Sequence, residues 1–221
     1  MTQSIEHPER ERRINGCKLE LRAAPAGSSS PGTLAGYAAV FNQASCDLGG
    51  FREVLSAGCF RAAAADSEII CSRNHVDDQL LGRVSAGTLR IEEDDEGLRY
   101  ECDLPDTTHG RDTAEMVRRG DMHGCSFQFS TPRDGSGEEW DFTGPMPFRT
   151  ITRVEKLHDV GPVTEPAYRG TSVACRSFDA ARTAHEAAQR SSAAASLSLA
   201  RARQQQAEAE THRVIFSMVL S

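Results

Sequence analysis

The sequence predicts an α+β domain that is mainly β, a β-barrel or rolled sheet with helices around it, followed by a tail that is helical or disordered. Three observations predict it. Short segments alternating apolar with polar residues recur between residues 17 and 176, bounded by Gly, Pro, Ser and Asp turns. Within that span only Thr108 to Arg119 carries clear helical spacing. From Asp179 to about Arg213 the composition turns to Ala, Arg, Gln and Glu, which favours helix but shows little apolar periodicity. Aromatic residues are few and alanine is concentrated late, so the core is expected before about residue 178. The chain therefore divides into a flexible N-terminus (1–15), a domain (16–178) and a tail (179–221).

Residues 1–15 are charged and expected to be loose. Cys17 to Arg22 reads as a first strand before the Pro/Gly/Ser loop from Pro25 to Gly32, and Thr33 to Phe41 as a strand rich in small residues. Glu53 to Phe60 leads into an alanine-rich helical turn ending near Asp66. Glu68 to Ser72 is a short buried strand, and His75 stands just past its end, where a loop can hold a side chain rigid yet exposed. Leu80–Val84 and Thr88–Ile91 read as paired strands around the turn Ser85 to Gly87, and Gly97–Leu104 completes a hairpin after the acidic run Glu92 to Glu96. That run lacks the ligand spacing of a calcium loop and reads as a solvated turn. For the helix, Thr108 or Asp106 is the expected cap, Ala114, Met116 and Val117 form the apolar stripe, and Gly120 is the stop. After Met122 to Ser130, residues 132–148 hold three prolines and three glycines and read as a loop or flap carrying Trp140 and Phe142. Arg149 to Val160 reads as one or two strands and Val173 to Arg176 as the last. The tail reads either as a solvated, partly helical extension or as a scaffold-like arm, ending in an isolated apolar patch, Val214 to Leu220.

A formal net charge of -7 argues against a dedicated nucleic-acid binder. No stretch approaches the roughly 20 apolar residues of a membrane span, and Met1 to Arg13 has no apolar run of a signal peptide. Seven cysteines without close-paired spacing suit reduced, mostly buried thiols rather than a disulfide framework. A soluble, intracellular protein is expected.

The chemistry centres on Met122 to Ser130. Gly124, Ser126, Gln128 and Ser130 share one face, and Cys125, Phe127 and Phe129 the other. The aromatic face seeks the core, which leaves the Ser126 hydroxyl on an accessible side. A serine hydroxyl is a poor nucleophile without a neutral imidazole in reach. His75 upstream supplies a candidate base and Asp159 downstream a candidate orienter, the general serine-hydrolase arrangement. His158 competes with Asp159, because neighbours on a strand point to opposite faces and only one can address His75. Asp159 is expected to share its face with Leu157. Cys125 turns toward the core and is not expected to be the nucleophile. His109 and His123 with Cys102 and Cys125 lack regular zinc spacings, so no metal or other cofactor is expected. Backbone N–H groups are expected to form the oxyanion hole, helped by an arginine such as Arg169 or Arg176. Gly124-Cys-Ser-Phe-Gln128 ends in Gln and so lacks the Gly-x-Ser-x-Gly elbow of many esterases.

The ordered set Gly36-Tyr-Ala-Ala-Val-Phe41, Ala57-Gly-Cys-Phe60, Asn74-His75, Leu81-Gly-Arg83, Gly97-Leu98, Gly124-Cys-Ser-Phe127, Asp159-Val160 and Val163-Thr-Glu-Pro-Ala-Tyr168 resembles the prohead maturation proteases of tailed bacteriophages. That family is related in fold to the herpesvirus assemblins, and the likeness runs from about residue 33 to 177. It implies an assemblin-like barrel and a serine endopeptidase enclosed in the procapsid, in the bacterial host cytoplasm. There it removes scaffolding protein, or the scaffolding arm of the major capsid protein, and then cleaves itself. The family's histidine falls on His75, its nucleophile on Ser126 and its third member on Asp159. Members often carry Glu at that third place and Gly where this chain has Gln128; assemblins use a second histidine, which would point to His158. A rival expectation is a catalytically inert protease fold kept as an internal scaffold, its Ala/Gln/Arg helix driving self-association.

Overall fold

The computed structural model describes residues 10–15, 19–24, 26–164 and 172–219, with the backbone alone at 14–15, 172–177, 202 and 205–219. The chain divides into two compact units, residues 1–176 and 177–221. In order, the first unit contains β1 (Glu11–Asn15), β2 (Glu20–Arg22), β3 (Thr33–Val40), β4 (Arg52–Leu55), β5 (Ile70–Ser72), β6 (Leu80–Arg83), β7 (Leu89–Glu93) and β8 (Gly97–Asp103). Helix α1 (Thr108–Arg119) follows, then β9 (Gly124–Ser130), β10 (Glu138–Asp141), β11 (Phe148–Ile151) and β12 (Lys156–Val163). A second helix, α2, runs over Ser172–Val219.

The strands form three sheets, ordered β1-β9-β12-β5-β6, β2-β3-β8-β7 and β10-β11-β4. The class is α+β, mainly β, as expected. No sheet order returns to its first strand, so among the described strands hydrogen bonding draws no closed barrel. The sheets share a core in which the aromatic face of β9 is central. Phe127 stacks on Phe129 at 5.1 Å between ring centroids and meets Phe60 edge-on at 5.4 Å. Each such ring buried is worth about 2–3 kcal/mol, which fixes which face of β9 points inward.

Several elements differ from expectation, each for a physical reason. Residues 11–15, expected to be loose, pair antiparallel with β9, because the charged side chains of Glu11 and Arg13 find buried partners. β6 and β7 do not pair with each other: β6 joins β5 and β7 joins β8. A Cβ on Gly82 would lie 2.7 Å from Cys102 Sγ, so β6 packs closely against β8 instead of lying beside β7. Part of the expected 132–148 loop is β10, where Trp140 packs against Phe51 and Phe142. The cap of α1 is neither Thr108 nor Asp106 but Thr107, whose extended backbone lets its side chain accept from Gly110 N–H. Gly120, at φ 82°, ends the helix as its sequence position suggests.

Val173 to Arg176, expected as a last strand, lies in the first turns of α2, continuous with the Ala-rich run that follows. Ion pairs at helical spacing, Arg182 with Asp179 and Arg190 with Glu186, line this helix, while Leu197 and Leu199 are exposed. The side chains of Val214 to Leu220 lie outside the described residues.

Candidate active site

Ser126 sits near the middle of β9 with a strand on either side. Ile14 of β1 and Gly161 of β12 are its partners in register. The side chain is fully buried, not accessible as expected, because β1 covers the outer edge of β9. Its Oγ lies 2.7 Å from His75 Nε2 and donates to the Arg13 carbonyl oxygen at 2.7 Å. Arg12 Nε donates to Ser126 Oγ at 3.5 Å.

His75 ends a 3-10 turn, Arg73–His75, that follows β5 directly. Asn74 and His75 both hold positive φ, 55° and 59°, a conformation that costs non-glycine residues about 1–3 kcal/mol each. The turn is tied down by Asn74, whose Oδ1 accepts from Thr164 N–H at 3.0 Å just past β12. This tie carries the imidazole to β9.

Asp159 completes the line. Its Oδ2 accepts from His75 Nδ1 at 2.8 Å. Oδ1 accepts from Ser72 N–H at 3.0 Å, and the Ser72 hydroxyl donates to Oδ2. The carboxylate is buried yet held by three donors, which fixes its orientation toward the ring. His158 does not take part. Between Leu157, opposite Phe129, and Asp159, opposite Gln128, the ladder shifts register. His158 is the extra residue of that bulge, and its Nε2 lies 3.1 Å from Ser130 Oγ. Leu157 and Asp159 therefore do not share a face: Leu157 joins the core and Asp159 the Ser126 side. Burial, aided by the charges of Arg10 and Lys156, pushes the His158 imidazole down to about 4, so it is neutral near pH 7.

With Nδ1–H donated to the carboxylate, His75 presents a lone pair at Nε2 to the serine hydroxyl. Ser126 has one proton and two acceptors, the ring nitrogen and the Arg13 carbonyl, both at 2.7 Å. Only one can receive it.

The model of one protein family, described as "Caudovirus prohead serine protease", matches residues 18–186. The chain belongs to that family. Searches of curated proteins and of solved structures return no match. The family is one of phage serine proteases that act in capsid maturation.

The sequence raised further features besides this line of three side chains. Cys125 is buried, with its Sγ 3.5 Å from the Tyr100 hydroxyl. Among the described residues no group of three or more His, Cys, Asp or Glu could hold a metal ion. In the acidic run, Glu93 accepts from Phe60 N–H, and Asp94 accepts from Glu96 N–H, Gly97 N–H and the Tyr37 hydroxyl. The Asp94 hydrogen bond raises the Tyr37 phenol to about 12. Arg169 and the Arg176 side chain lie outside the described residues. No helix among those residues is long and apolar enough to cross a membrane.

Sequence reasoning missed Ser72, the structural tie through Asn74, and Gly161. The last left a signal: a glycine inside a strand often marks a close approach of backbone. A Cβ there would lie 2.2 Å from the Ser72 carbonyl oxygen, so only glycine lets β12 lie close enough to β5 for Ser72 to hold Asp159. The largest omission was β1.

Proposed function

We propose that the chain is a serine endopeptidase in which Ser126 is the nucleophile, His75 the general base and acid, and Asp159 the orienter. The observation that carries this reading is the unbroken line from Asp159 Oδ2 through His75 to Ser126 Oγ, with steps of 2.8 and 2.7 Å. In the first step Nε2 takes the hydroxyl proton as Oγ attacks the scissile carbonyl; the imidazolium then gives that proton to the leaving amine. The carboxylate keeps the ring in the Nδ1–H tautomer and stabilises its transient positive charge. Backbone N–H groups would stabilise the oxyanion.

Its substrates are the scaffolding protein or the scaffolding arm of the major capsid protein, inside the procapsid in the host cytoplasm, and finally its own chain. Residues 16–178 form the protease domain of this reading, and 179–221 an arm for targeting or self-cleavage. The small residues Ala193 to Ser196 suit a shallow specificity pocket. Co-expression with the cognate capsid protein tests it. The wild type should yield shortened capsid or scaffold products and a shortened protease by mass, and Ser126→Ala neither. Intact masses with the wild type under assembly conditions would overturn the reading.

The burial of Ser126 favours one second reading, an inert protease fold kept as an assembly scaffold. That protein would assemble capsids normally with Ser126→Ala but fail once the tail is deleted.

A further inference from the structure

Resting on that protease reading, we infer that β1 is a displaceable strand lying in the substrate's place, and that an extended peptide reaches Ser126 by exchanging with it along the outer edge of β9.

Three independent observations meet here. The first is position. β1 is the terminal strand of its sheet, next to the strand that carries Ser126. Without it β9 would be an open edge, the form that accepts an added peptide strand. The second is the contact itself. A strand at this edge delivers a backbone carbonyl to the nucleophile, as the Arg13 carbonyl at 2.7 Å from Oγ demonstrates. Yet its oxygen faces Oγ as a hydrogen-bond acceptor. It diverts the proton His75 would take, and β1 leaves no surface of Ser126 exposed.

The third is how β1 is held. Arg13 pairs with both carboxylate oxygens of Glu53 at 2.7 Å, and Arg149 pairs with both of Glu11 at 2.7 and 2.8 Å. All four side chains are buried. The network divides cleanly between the strand and its seat. Glu11 and Arg13 bond each other at 2.6 Å, while Arg149 keeps Glu53, at 2.8 Å, and Glu138. When β1 departs, each buried charge on either side retains an opposite partner, so departure strands no lone ion. Buried ion pairs also contribute little net stability, because desolvation offsets their attraction. The strand is specific in its register and cheap to remove.

The experiment measures labelling of Ser126 by a fluorophosphonate, a small serine-directed reagent, in the full-length chain. Arg13→Glu sets like charges against each other at Glu53 and should release β1, raising the labelling rate roughly tenfold or more by enlarging the open fraction. A second variant, Arg12→Cys with Gln128→Cys, joins two residues that face each other across the strands. Its oxidised form should label roughly tenfold or more slowly than its reduced form, since the open fraction vanishes. Equal rates in wild type, Arg13→Glu and both forms of the cysteine pair would overturn the inference while leaving Ser126 a nucleophile. No labelling in any form, with β1 amides exchanging rapidly in Arg13→Glu, would overturn the nucleophile reading and this inference with it.

Discussion

The two strands that flank β9 are built from opposite materials. β12 brings Leu157, Val160 and Val163 into the apolar core, and its backbone pairs with β9 from Lys156 to Val163. β1 is shorter, and its described buried side chains, Glu11 and Arg13, are charged. Burial opposes ionisation of Glu11, but hydrogen bonding to Arg149 and the charges of Arg13 and Arg149 outweigh it and hold the carboxyl below its usual range. The contrast assigns separate duties. Apolar packing gains free energy in proportion to area and fixes the strand that carries Asp159; ion pairs specify register with little net gain.

The largest effect expected on the β12 side is catalytic. Asp159→Asn should lower turnover by about 10⁴-fold with the fold intact, since the ring loses its tautomer, whereas His158→Ala should leave it within about tenfold. Kinetics on a capsid-derived peptide decide this. If His158→Ala were the more damaging, Asp159 would not be the orienter. Next comes core stability. Leu157→Ala should cost about 2–5 kcal/mol in denaturant unfolding.

Acid should separate the two sides by smaller steps. The folded His158 pKa lies below its ordinary 6.5, at about 4, so the unfolded chain takes up that proton first. Stability contributed by keeping it neutral is present above pH 6.5 and lost as pH falls toward 4, on the order of 2 kcal/mol. His158→Gln should flatten unfolding free energy across that window. Glu11 is also depressed, so its share is present above its ordinary 4.5 and disappears only below that, as pH falls through the folded value. The smallest change is expected from replacing Glu11 and Arg13 together with Leu and Met. Stability should move by about 1 kcal/mol or less in either direction, whereas Glu53→Ala alone, which leaves Arg13 short of its main partner, should cost about 3 kcal/mol. A large loss in the double variant would mean that β1 is a permanent part of the sheet.

The same contrast explains what the sequence made legible. Period-two alternation exposed β3, β8, β9 and the core face of Phe127 and Phe129, because apolar burial writes itself into spacing. Ser126, His75 and Asp159 were found through residue type and family resemblance, and the structure brings all three together. β1 stayed hidden because a strand buried through charged side chains reads as a solvated segment. The β6–β7 pairing failed because a tight turn does not decide which sheet each arm joins. Ser72 and Asn74 were illegible as supports because their partners lie far away in the chain and each contact runs through a backbone N–H, of Ser72 itself in one case and of Thr164 in the other.

The bulge at His158 has a consequence for sequence length rather than residue identity. Removing the extra position between Leu157 and Asp159 would restore plain alternation and still leave the carboxylate opposite Gln128, on the Ser126 side of the sheet. Homologous chains should therefore occur both with and without the extra position, and a single-codon deletion of His158 should leave turnover within about tenfold, as His158→Ala should.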